Sequence, residues 1–285
     1  MLLGLAFLGA LAMAIAGIAT DRLHRARNVA EAARAEALAE AGFAHAMAKL
    51  TDRVADPLWR ADGRPYSLAL SDGVVEVTIH DEAGRIDLNM ADEALLRNLM
   101  IGVGMEPAVA ERLVDAILDW ADPDDLRRLN GAEAGDYRAA GLDYSPANRP
   151  FVLVGELTNV LGMRPDIVRR LEPHLTVHSR LRGIDPTVAP RALLALLPGV
   201  QPEKVQDLLV PEGIQPSALG QYLGLDPRHV VASRRQVYSI RAVARTTGGG
   251  VYGREATIRL LRDPAKPYAV LAWRRASHGG ETRRP

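Results

Sequence analysis

From Leu2 to Thr20 the chain carries no charged side chain: LLGLAFLGALAMAIAGIAT. At about 1.5 Å per residue this run makes roughly 28 Å of helix, close to the thickness of a bilayer core. Residues 1–22 are therefore read as a transmembrane segment, with Leu2, Leu5, Phe7, Leu11, Ile15 and Ile18 facing lipid or partner helices. The rival reading is a cleaved secretory signal. Against it stand the missing basic stretch before the run and a run longer than the usual apolar region of such signals. Arg22, Arg25 and Arg27 follow the span, and the positive-inside rule taken alone would put the body in the cytoplasm.

Helix formers continue past the apolar run in NVAEAARAEALAEAGFAHAMAKL, so one helix is expected to reach about Leu50. Val29, Ala33, Ala37, Ala41 and Ala44 fall on a narrow small-residue face of it, suited to close packing against another helix or a sheet. In YSLALSDGVVEVTIHDEAGRIDLN two apolar runs flank Ser71-Asp72-Gly73, the signature of a hairpin. From about Ala91 to Leu225 short helical stretches alternate with Gly and Pro. Period-two patterns then return at Tyr238, Ile240, Ala242 and Ala244, at Ala256, Ile258 and Leu260, and in YAVLAW. The expected fold class is α+β: a long N-terminal helix packed on an antiparallel sheet, with a large all-helical domain inserted between early and late strands. The boundaries read as 23–90 for helix and first strands, 91–232 for the insertion, 233–278 for the last strands and 279–285 for a disordered tail.

Lys+Arg and Asp+Glu both number 35, so no global field draws this chain to nucleic acid or to an acidic membrane surface. Cysteine is absent, which removes disulfides, thiolate metal sites and cysteine nucleophiles.

Within the helical block, LLRNLMIGVGMEPAVAERLVDAIL has the outline of a helix-hairpin-helix, and ELTNVLGMRPDIVRRLEPHL and ALLALLPGVQPEKVQDLL are looser echoes. In a DNA-binding version the turn at Gly102 and Gly104 would hold a phosphate, aided by nearby cations. Here Met105, Glu106 and Pro107 follow, placing a carboxylate where a cation is wanted. Scaffolding is the favoured use, no nucleic acid is expected, and a membrane-tethered DNA-binding protein is the alternative.

The stretch DAILDWADPDDLRRLNGAE holds six acids: Asp115, Asp119, Asp122, Asp124, Asp125 and Glu133. On a helix the first three share one face, opposite Leu113, Ile117 and Trp120. Carboxylates this close repel unless water or a cation intervenes, and calcium suits such a set because it takes six to eight oxygens without strict geometry. The spacing is not that of an EF-hand loop, and a solvated helix end stopped by Pro123 is an equal reading. Asp81, Glu82, Asp87 and Asn89 form a second acidic group, where Asn89 or Asp92 would serve as a helix cap. His174 and His178 have i, i+4 spacing, yet HLTVH alternates like a strand, which would hold the two too far apart for one zinc. No nucleophile elbow or phosphate-cradling loop is present, so no catalytic residue is assigned and the chain is not expected to be an enzyme.

DEAGRIDLNMADEALLRNLM, LVDAILDWADPDD, RRLNGAEAGDY, YSPANRPF, GELTNVLGM and PHLTVHS stand in the order found in general secretion pathway protein K, and the chain resembles that family of large minor pseudopilins of type II secretion systems. The resemblance implies a pseudopilin fold with an inserted helical domain, a body in the periplasm, and a single span in the inner membrane. It implies a place at the tip of the pseudopilus, where assembly and export begin, with I-type and J-type minor pseudopilins and the secretion machinery as partners. It also implies calcium in the soluble region, which tips the acidic stretch toward metal. The family lacks the acidic residue that other pseudopilins carry near the mature N-terminus, and none lies within Leu2 to Thr20. The basic leader cut by prepilin peptidase is not seen before the apolar run; either it is encoded upstream, where its charges would also settle the orientation against Arg22, Arg25 and Arg27, or processing differs in this protein.

Overall fold

The computed structural model describes residues 2–51, 59–263 and 265–276, with side chains of the first twenty residues described at Met13 and Gly17 alone. Leu2, Leu5, Phe7, Leu11, Ile15 and Ile18 lie on helical backbone, but their side chains fall outside the described ones, as does the tail 279–285. No helix of the described residues is long and apolar enough to cross a membrane. The chain divides into two compact units, one of 1–60, 64–79 and 239–285 and the other of 61–63 and 80–238.

In the first unit a single helix, α1 (Leu2–Thr51), precedes the hairpin of β1 (Asp62–Leu70) and β2 (Gly73–Asp81). Ala35, Ala39, Gly42, Phe43, Ala46 and Met47 form its buried seam, spaced as one face of a 3.6-residue period. A Cβ on Gly42 would stand 2.5 Å from Cγ1 of Val75, so the helix reaches the sheet at van der Waals distance only because that side chain is missing. Gly42→Val is expected to lower stability by about 2 kcal/mol through overpacking, while Ala41→Val on the exposed face stays within roughly 0.5 kcal/mol; paired thermal melts check this.

The second unit opens with β3 (Ile86–Asp87) and runs through α2 (Glu93–Gly102), α3 (Pro107–Ala121), α4 (Ala134–Ala139), α5 (Pro165–Leu171), β4 (Leu175–Thr176), α6 (Arg191–Leu194), α7 (Pro202–Gln206) and α8 (Pro216–Leu223). The all-helical expectation needs correcting, because β3 pairs in parallel with β4. Buried backbone between hairpin and first helix needs hydrogen-bond partners, and the extended 86–88 segment finds them there, the Leu88 amide donating to the Thr176 carbonyl at 2.8 Å. Five turns share the order Gly, apolar, polar, Pro: Gly104, Gly162, Gly199, Gly213 and Gly224 all have φ between 76° and 87°, and each stands three residues before Pro107, Pro165, Pro202, Pro216 or Pro227 at the start of a helical turn. The left-handed glycine reverses the chain and the proline, lacking an N–H, opens the next turn at no hydrogen-bond cost. Leu95, Leu99, Leu113, Ile117, Leu157, Leu171, Leu193 and Leu223 fill the core between these turns.

The sheet of the first unit is completed by β5 (Val237–Thr246), β6 (Val251–Asp263) and β7 (Lys266–Arg275), in the order β1-β2-β5-β6-β7 with β6 and β7 antiparallel. Here α1 lies against β6 and β7. Phe43 meets the Trp273 ring edge-on with centroids 5.2 Å apart. Arg254 sits over the Trp273 and Tyr252 rings and donates to Glu36 and Glu40 at 2.9 and 3.0 Å. The Thr246 hydroxyl donates to Glu31 at 2.6 Å. The seam thus lies beside the small-residue face predicted from the sequence, and Val29, Ala33, Ala37, Ala41 and Ala44 are all exposed.

Candidate functional site

α3 enters at Pro107 and ends at Ala121, where Asp122 turns extended and Pro123 bars continuation. Both helical faces are buried, including Asp115 at 7 % and Asp119 at 0 % exposure, so these two acids are not a solvated helix end. Instead the loop after Pro123 folds back over them. The Asn130 amide and side-chain NH2 both donate to Asp115 Oδ2, at 3.0 and 3.1 Å. The Arg128 amide donates to Asp119 at 3.2 Å. A Cβ on Gly131 would stand 1.9 Å from Asp119 Oδ2, which explains a glycine there.

A second segment closes the other side. Asn148, held at φ 46°, donates its amide N–H to the Trp120 carbonyl at 3.0 Å and its side-chain NH2 to Asp125 at 3.2 Å. Asn89 pairs with the Phe151 backbone in both directions, at 2.9 and 2.7 Å. Trp120 packs among Tyr137, Tyr144 and Phe151, so the acids stand on an aromatic floor.

Glu133 is 7 % exposed and both its oxygens are buried without a hydrogen-bond partner; Asp122 Oδ1 and Asn148 Oδ1 share that condition. Burial, then repulsion from Asp119, Asp122, Asp125 and Asp124, pushes the Glu133 carboxyl up to about 7. Burial likewise raises Asp119 and Asp122, the latter also through Asp124. Unsatisfied buried oxygens on mutually repelling carboxylates are what a hard cation relieves, so the donors fit calcium in kind. Among the described residues no group of three or more His, Asp or Glu side chains is already arranged to hold a metal ion. Of the six acids predicted as ligands, Asp119, Asp122, Asp124, Asp125 and Glu133 feel one another, while Asp115 has its Oδ2 taken by Asn130. Asn148 and Arg128 escaped the sequence reading. An Asn between Pro146 and Pro150 was the available signal, being the residue that best tolerates a left-handed turn.

The other candidates are structural. Asp92 caps α2 by accepting from the Leu95 amide, whereas Asn89 caps nothing and ties down the irregular segment at Phe151 instead. Asp81 accepts from the Ala83 amide and the Ser233 hydroxyl, Glu82 from Thr176, and Asp87 from the Asn89 and Arg180 amides. His174 closes a short 3-10 turn and His178 lies beyond β4, so they do not share a helix face.

Residues 76–180, which contain this whole site, match the family model for protein K of the type II secretion system. This region is similar to the type II secretion K domain. Curated K proteins agree: that of Dickeya chrysanthemi is 40% identical over 83 residues, covering 29% of this chain and 22% of its own, and that of Klebsiella pneumoniae is 30% identical over 158 residues, covering 49% and 47%. The chain thus spans less than half the length of these K relatives. In fold it is similar to a solved chain of the GspK-GspI-GspJ complex of enterotoxigenic Escherichia coli, with TM-score 0.57 at 16% identity over 91% of this chain and 99% of that one. The comparisons give the DNA-binding alternative no support.

Proposed function

We propose that this chain is a non-catalytic K-type minor pseudopilin at the tip of a type II secretion pseudopilus. Its apolar N-terminal segment sits in the inner membrane and then in the filament, and its body stands in the periplasm. The observation that carries the reading is the exposed stripe Val29, Ala33, Ala37, Ala41 and Ala44 on a K-family chain: small side chains left uncovered on a long helix invite close helix–helix contact. The occupants are I-type and J-type minor pseudopilins, the partners named for the structural relative. The second unit uses its helix-hairpin-helix-like turns as scaffold.

Calcium is the proposed ion of the carboxylate site. Asp119, Asp122, Asp124, Asp125 and Glu133 would hold it, with Asp115 fixing the loop through Asn130. The ion supplies positive charge that cancels the repulsion, and it performs no reaction.

Deleting the gene is expected to stop type II export, and the wild-type chain to restore it. Ala37→Arg, which adds charge to the stripe without touching the buried seam, should accumulate normally yet fail to restore secretion. Full export with that variant, or undisturbed export in the deletion strain, contradicts the proposal.

A further inference from the structure

Arg128 lies at the mouth of the carboxylate site. Its amide donates to Asp119, and its guanidinium follows: Nε stands 3.5 Å from Asp119 Oδ1, while Nη1 stands 4.0 Å from Glu93 Oε2. Asp119 is fully buried, whereas Glu93 is half exposed and already paired with Arg97. One guanidinium therefore spans two acids, the buried Asp119 and, at its outer edge, Glu93 on α2. Its positive charge also draws on Asp122. The oxygens of Glu133 meanwhile find no partner, so the guanidinium leaves part of the site's charge unanswered.

We propose that Arg128 is the built-in counter-ion of this carboxylate site, and that it competes with the bound divalent cation, its guanidinium leaving Asp119 for Glu93 when the ion enters. This rests on the calcium reading above. Two positive charges cannot share Asp119 closely, because at separations of a few ångströms in a partly buried site their repulsion is screened far less than in water. The backbone bond from Arg128 to Asp119 persists in both states, so only the side chain moves. Arg128 thereby holds the ion-free loop together and sets how much free cation is needed to load the site.

The opposed signs make a test. With the full chain in detergent, Arg128→Gln should melt at a lower temperature than wild type in chelator, yet bind calcium about fivefold more tightly by titration calorimetry, the equivalent of about 1 kcal/mol for a partly exposed ion pair. Arg128→Lys, which keeps the charge, should stay near wild type in affinity. A purely structural role for Arg128 would weaken both stability and binding in the Gln variant, and that result overturns the proposal, as does unchanged affinity. If neither wild type nor Arg128→Gln gives calcium heat or a calcium-dependent melting shift, the calcium reading fails first and the competition falls with it.

Discussion

Calcium at a thousandfold above its dissociation constant is expected to raise the melting temperature of the full chain by about 8 °C, from roughly 4 kcal/mol of linkage and about 2 °C per kcal/mol at this size, and Glu133→Gln to abolish the shift. The reason is local. Glu133 is the one acid of the set with both oxygens buried and unpartnered, so it gains most from an ion. In chelator the same variant should be more stable than wild type at pH 8, since the amide removes a charge that burial and four neighbouring acids disfavour. The sign of the pH effect follows from the raised folded value. A carboxyl with pKa about 7 in the folded chain, against 4.5 as its ordinary value, contributes stability that is fully present below about 4.5 and lost as pH rises through 7. Wild type in chelator should thus lose stability between pH 5 and 8, and calcium should restore more at pH 8 than at pH 5. Melts that show the same calcium shift with Glu133→Gln would remove Glu133 from the ion site.

Trp120→Ala should destabilise the second unit by about 3–5 kcal/mol, the usual cost of emptying a large aromatic site that cannot collapse. Trp120 is 5 % exposed among Tyr137, Tyr144 and Phe151, and its carbonyl holds the Asn148 turn. Losing the ring removes the floor under Asp119 and Asp122 together with the support of the second segment. Calcium affinity should therefore fall with stability. Chemical denaturation followed by circular dichroism reads the first effect and calorimetry the second; a loss under about 1 kcal/mol would mean the aromatic cluster does not organise the site.

The long helix, the hairpin at Ser71 to Gly73 and the late strands were legible because each writes a simple period or turn signal into the chain. The buried seam of α1, two positions along from the small-residue face, was not legible, since alanine covers both faces and the residue that decides orientation is Gly42, whose meaning lies in the closeness of Val75. Six acids at Asp115 to Glu133 were visible as a group. Their division was not: the burial of Asp115 and Asp119 depends on a loop returning from Asn130 and Arg128, and Asn148 arrives from fifteen residues past Glu133. The β3–β4 pair was hidden for a similar reason, because two-residue strands carry no period and are set by a partner almost ninety positions away.

The tip assignment is tested most directly by mixing the full chain, in detergent, with I-type and J-type minor pseudopilins of the same secretion system and measuring the mass of the eluting species by light scattering. A single species of one copy each, lost with Ala37→Arg while that variant keeps its wild-type melting temperature, is the predicted result. Three separately eluting proteins, each folded, would contradict the assignment.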